Sequence, residues 1–163
     1  MGTAEEKERL LHLAYTDELT GLPNRRAFMQ EAPRRLEAAK RTGVPICLLL
    51  LDVNGLKAIN DTYGHEAGNA ALRLIAEALQ ELPKSCLAAR CGEHADEFFV
   101  LAPGDWQAAS RLAADIRAFL RARPLAFGAV NVAIGVAQFN GSESLSELAA
   151  RADRHMYATK KRG

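Results

Sequence analysis

Apolar positions change rhythm along the chain, and each rhythm predicts an element. Ile46 to Leu51 is an unbroken apolar run. Without alternation, VPICLLLLD reads as a strand that needs cover above and below, and Asp52 ends it. A glycine-punctuated stretch, Val53 to Gly68, follows. Ala71, Leu74, Ile75, Ala78, Leu79 and Leu82 then recur at spacings of three and four, the pattern of a core-facing helix that stops before Pro83. Cys86 to Cys91 and Glu97 to Leu101 read as two strands of a hairpin joined by the polar turn Gly92-Glu93-His94-Ala95-Asp96. Trp106, Ala109, Leu112, Ala113, Ile116 and Leu120 define another helix face, and Asn131 to Phe139 a further strand with Gly135 inside it. Ser144 and Glu147 form a capping box for a last helix that runs to about Lys161.

Upstream, Ala4 to Tyr15 sets Leu10, Leu11 and Ala14 behind the charged run Glu5 to Arg9, which suits residues 1–15 to the last turns of a helix arriving from elsewhere in a larger protein. The turn-forming loop DELTGLPN comes next. Asn24 offers an N-cap for a helix toward Thr42, with Gly43 as its stop and Pro33 expected to kink or shorten it. The main order is helix, strand, helix, strand, strand, helix, strand, helix. That order predicts an α/β (α+β) domain over residues 16–163, with a central, mostly antiparallel sheet in the βαββαβ, ferredoxin-like arrangement wrapped by helices. The long irregular connections, Asp17 to Asn24 and Asn54 to Glu66, are where function is expected.

Composition narrows the classes. With 163 residues and 48% apolar content, one domain with a sizeable core is expected. Lys and Arg total 21 against 20 for Asp and Glu, and a net charge of +1 supplies no field for a nucleic-acid backbone or an anionic membrane. No apolar run approaches the ~20 residues that span a bilayer, so a soluble, cytosolic segment is expected. Cys47, Cys86 and Cys91 lack metal-type spacing and read as reduced structural thiols.

Asp52 stands where a buried strand meets a glycine-bearing loop, and Asp96 with Glu97 stands at a hairpin. If those strands are neighbours the carboxylates converge, and an all-oxygen pair suits Mg²⁺ with a nucleotide's phosphates better than zinc or calcium. The plain alternatives are a strand-ending cap for Asp52 and a turn former for Asp96. Lys160, Lys161 and Arg162 suit the negative end of a helix dipole. The histidines His12, His65, His94 and His155 show no ligand spacing, and neither a G-x-x-x-x-G-K-[ST] phosphate loop nor a G-x-S-x-G elbow occurs.

DELTGLPNRRAF, LDVNGLKAINDTYGHEAGNAAL, ADEFFVL, VAIGVA and RADRHMYATKKRG, in that order, resemble the successive signatures of the GGDEF domain, the bacterial diguanylate cyclase family. The resemblance implies the nucleotide-cyclase-like fold related to polymerase palms. It also implies a homodimer in which the 3′-hydroxyl of each GTP attacks the α-phosphate of the other, giving cyclic di-GMP. By the same resemblance Asp52, the Val53 carbonyl and Asp96 would ligate Mg²⁺ (or Mn²⁺), and Glu97 would assist near the attacking hydroxyl. Gly55, Leu56 and Lys57 would present backbone N–H groups to the β- and γ-phosphates, joined by the Lys160 charge. Asn60 and Asn69 would read the guanine edge in a pocket that His65 helps to shape.

The chain departs from the family pattern at identifiable residues. Arg90 is followed by CGEHADEF, which adds two residues and sets His94-Ala95 where the family has Gly-Gly. Those glycines permit a tight turn close to the nucleotide, and a Cβ obstructs it. Asn69 and Asn54 replace common aspartates, and Ser85 to Ala88 carry no RxxD inhibitory motif. The expectation is a domain of cyclic di-GMP metabolism that binds GTP with weak or no turnover and regulates a partner; an active cyclase is the alternative.

Overall fold

The computed structural model describes residues 2–91 and 96–162. Its elements are α1 (Ala4–Tyr15), α2 (Arg25–Thr42), β1 (Ile46–Val53), α3 (Leu56–Tyr63), α4 (His65–Gln80), β2 (Leu87–Arg90), β3 (Glu97–Pro103), α5 (Trp106–Arg121), β4 (Val132–Gln138) and α6 (Leu145–Arg162). The strands form one sheet in the order β2-β3-β1-β4, and every neighbouring pair is antiparallel. The expected βαββαβ core is therefore present.

The run Ile46 to Leu51 is continuous because β1 is internal and covered twice. Cys47, Leu49, Leu51 and Val53 join Ile75, Leu79, Phe98, Val100 and Ile116 in a core beneath α4 and α5. Ile46, Leu48 and Leu50 join Phe28, Leu36, Phe99, Leu148 and Met156 in a second core beneath α2 and α6. Alternation persists, but both sides are apolar.

Local chemistry sets the boundaries. Asn24 Oδ1 accepts from the Ala27 N–H at 3.1 Å, and Gly43, at φ 73°, ends α2. Pro33 does not shorten that helix, which runs all 18 residues to Thr42. The loss of one backbone donor is outweighed by the face that buries Phe28, Ala32, Leu36 and Ala39. The capping box is formed in both directions, each at 3.1 Å: Glu147 N–H to Ser144 Oγ, and Ser144 N–H to Glu147 Oε1.

The segment Asn54 to Glu66 is not irregular, as its glycines suggest. It holds α3 and the start of α4, hinged at Gly64 with φ 92°. The turn Gly92 to Ala95 lies outside the described residues. Its base is closed by the Cys91 N–H donating to Glu97 O at 3.1 Å.

Where β4 crosses α6, Gly135 is obligatory, because a Cβ there would stand 2.0 Å from the Ala152 carbonyl oxygen. The edge of β4 is blunted by His155, whose Nδ1 accepts the Val136 N–H at 2.8 Å. Arg151 ties the start of α6 down by donating to the Gln138 carbonyl at 2.5 Å and to both Glu143 oxygens. These bonds hold the Glu143 carboxyl below its ordinary value of 4.5. A depressed carboxylate stabilises the fold fully above pH 4.5, and the contribution is lost as pH falls through the lower folded value. Thermal melts of Glu143→Gln against the parent should show a constant gap above pH 5 that narrows below 4.5.

No helix among the described residues is long and apolar enough to cross a membrane. Cys47 and Cys91 are buried and Cys86 partly so, all three free. Burial pushes the Cys47 thiol to about 11 and the Cys91 thiol to about 12, so both stay protonated and inert at neutral pH.

Candidate functional site

Asp52 and Glu97 pair at the end of the two internal strands, with Asp96 one residue before Glu97. β1 and β3 pair with Asp52 opposite Glu97, and the Val53 N–H reaches the Asp96 carbonyl at 3.4 Å. Cross-strand partners share a face, so Asp52 and Glu97 stand on the side of α2 and α6. Strict alternation would turn Asp96 to the opposite face with Val53. Asp96, however, precedes β3, which begins at Glu97, so the pleat does not dictate its direction.

A cation already sits on this carboxylate. Lys160 of α6 donates to Asp52 Oδ2 at 2.5 Å across 108 residues of chain. The Asp52 side chain is 17% exposed. The reach follows from packing: Met156 lies over Gly135, which pairs with Leu50, and Asp52 is two residues farther along β1 on the same face. Four helical residues rise ~6 Å and two strand residues advance ~6.8 Å, so Lys160 arrives over Asp52.

Beyond Val53 the chain turns on Asn54, whose N–H donates to the Asn131 carbonyl at 2.9 Å, and on Gly55 at φ 69°. This left-handed residue opens α3 without a side-chain cap, and Leu56 and Lys57 begin the helix. Their N–H groups belong to the first turn, where backbone donors lack partners within the helix. Lys57 is exposed and makes no ion pair among the described residues.

Asn60 lies against Gly68. A Cβ at position 68 would stand 1.8 Å from Asn60 Oδ1, an oxygen that is buried and finds no donor among the described residues. Asn69 follows, half-buried, so the two amide residues assigned by resemblance to the guanine edge sit at one α3–α4 junction. His65 opens α4 and is exposed.

The donor set at the strand ends is all oxygen, and its Asp52 carboxylate holds an ammonium group, so the residues fit a hard cation. Among the described residues no three His, Cys, Asp or Glu side chains cluster as a ready metal cage. A bound cation would need oxygen ligands from outside the chain to complete its shell.

One tie that the sequence did not reveal clamps the base of the hairpin. Arg90 pairs with Asp17 at 3.2 Å, the Arg90 N–H donates to Pro23 O at 3.0 Å, and Arg25 reaches Cys91 O at 3.3 Å. The loop DELTGLPN thus holds β2 just before the turn. Its abundance of turn formers was the available signal, but the partner lay 73 residues away.

Comparison with known proteins bears on the fold as a whole. A family model described as "Diguanylate cyclase, GGDEF domain" matches residues 14–163. The chain is 35% identical over 156 residues to the diguanylate cyclase DgcP of Pseudomonas aeruginosa, covering 92% of this chain and 23% of that protein. It is 35% identical over 159 residues to the diguanylate cyclase DosC of Escherichia coli, covering 93% and 34%. The chain therefore spans about a third or less of the curated relatives' length. Among solved structures, the coiled coil and GGDEF domain of DgcB from Caulobacter crescentus, in complex with c-di-GMP, superimposes with a TM-score of 0.90 at 32% identity, covering 98% of this chain and 87% of that one.

Proposed function

This chain belongs to the GGDEF domain family of diguanylate cyclases, and we propose that it binds GTP with Mg²⁺ or Mn²⁺ and turns it over weakly or not at all. In that reading it acts in cyclic di-GMP metabolism by regulating a partner or an upstream element. The observation that carries the nucleotide reading is the meeting of Asp52, Glu97 and Lys160 from three distant segments at the sheet end.

A bound divalent cation would neutralise triphosphate charge and favour attack at the α-phosphorus. Asp52, the Val53 carbonyl and Asp96 would hold it. Gly55, Leu56 and Lys57 would cradle the β- and γ-phosphates through backbone N–H groups at the start of α3, with Lys160 adding a point charge. Glu97 would stand beside the attacking 3′-hydroxyl contributed by a second GTP-loaded copy. Asn60, its amide packed against Gly68, would stand at the guanine edge beside Asn69, which would accept from guanine's N1 and N2. Asn69 offers one neutral acceptor where a carboxylate offers two charged ones, which weakens discrimination against adenine. Residues 1–15 would be the end of a signalling helix, and α1, in which no residue is buried, suits that role.

Purified domain at high concentration with GTP and Mg²⁺ should yield little or no cyclic di-GMP, while titration should show binding of GTP in preference to ATP. Robust synthesis would establish the active-cyclase alternative, and no binding of either nucleotide would leave the site without a ligand. Two variants refine the reading. Replacing the turn tip with the shorter Gly-Gly form should raise synthesis more than Asn69→Asp does, because a misplacement of ~1 Å costs ~10²-fold in rate. Gly68→Ala must push the Asn60 amide aside, so GTP affinity should fall about tenfold, the worth of one hydrogen bond, with the melting temperature little changed.

A further inference from the structure

The cation on Asp52 belongs to the protein itself. Lys160 Nζ is 2.5 Å from Oδ2, at the point where the proposed function places a metal ion. A carboxylate oxygen contacted by an ammonium group at this distance is poorly available to a divalent cation, because the two cations would repel at close range. Lys160 is nevertheless built to move. It lies in the last turn of α6, its flexible four-carbon side chain is 38% exposed, and the buried anchors Ala152 and Met156 hold the helix without it.

We propose that Lys160 is a placeholder cation: in the nucleotide-free domain it occupies Asp52 in place of the metal, and a triphosphate draws it away so that metal and nucleotide load together. This rests on Asp52 being a metal ligand. It adds that the lysine assigned to the phosphates has a second position and exchanges between the two. Metal alone then binds poorly, and the nucleotide raises metal affinity both by supplying phosphate oxygens and by removing a competitor. By linkage, metal raises nucleotide affinity by the same factor, since Asp52 no longer holds the lysine back.

The test is Mn²⁺ binding, followed by electron paramagnetic resonance of the free ion, with and without a GTP analogue whose α,β-bridge is methylene. Lys160→Met keeps the stem and removes the charge, and Lys160→Gln is a second form should the first fold poorly. Without nucleotide, either variant should bind Mn²⁺ roughly three- to fivefold more tightly than the parent, as expected for release of a partly exposed ion pair. The analogue should then improve Mn²⁺ affinity less in the variants than in the parent, by the same factor. Arg154→Met, which removes an exposed charge from the same helix, should stay within twofold of the parent.

Equal nucleotide-free affinities in the parent and both Lys160 variants overturn the placeholder role. So does an equal gain from Arg154→Met, which would assign the effect to the general field. If the nucleotide-loaded parent binds Mn²⁺ while those affinities are equal, only the Lys160 inference falls. If the loaded parent binds no Mn²⁺, the metal assignment falls with it.

Discussion

Gly135→Ala should destabilise the domain by about 3 kcal/mol, the upper part of the range for an overpacked core. The added Cβ would stand 2.0 Å from Ala152 O, 2.5 Å from Met156 N and 2.6 Å from Met156 Cβ. Two of these atoms are backbone of α6, so relief requires the helix to lift from β4 rather than a side chain to rotate. In a protein this size that cost lowers the melting temperature by roughly 6–12 °C. Because α6 carries Lys160 to Asp52, Lys160 should be displaced from Asp52 as well. A thermal melt checks the first effect. A melting temperature within 2 °C of the parent would show that α6 does not press on the strand.

Asp52→Asn should abolish metal binding in the presence of nucleotide while leaving the fold nearly intact. Loss of an outer-shell partner alone costs a metal site ~10–100-fold, and loss of the charged ligand should cost at least ~100-fold. Any cyclic di-GMP synthesis should disappear with it. Stability should change by about 1 kcal/mol or less, because the ion pair removed is partly open to solvent. Mn²⁺ titration of the GTP-analogue complex, beside a melt, separates the two effects. Retained metal affinity would move the metal to other oxygens.

The sheet was legible in the sequence because its signal is burial on both faces. The unbroken run of β1, the spacing of Leu74, Ile75, Ala78 and Leu79, and the Ser144–Glu147 cap all correspond to observed packing or hydrogen bonds. α3 was not legible. It has eight residues, none buried, set between Gly55 and Gly64, and it opens on a glycine without a side-chain cap, so its start carries no capping signal and its length is that of a loop. Pro33 misled because propensity counts one missing donor and not the buried face that outweighs it. Neighbouring strands for Asp52 and Glu97 could be expected from the hairpin and its topology. The Lys160 contact could not, since it depends on how far α6 slides along β4, and Gly135 sets that distance.

The strand order β2-β3-β1-β4 leaves β1 and β3 without a free edge. Their amides should be among the last to exchange with deuterated solvent, and the acidic groups at their ends share that rigid frame. An input that alters this domain therefore has little to gain by straining the sheet. It would act on pieces attached to the frame's rim: the α3–α4 corner, the loop gripping Arg90, and the final turn of α6. Exchange mapping with and without nucleotide should accordingly record protection gained at the rim over an interior that does not change.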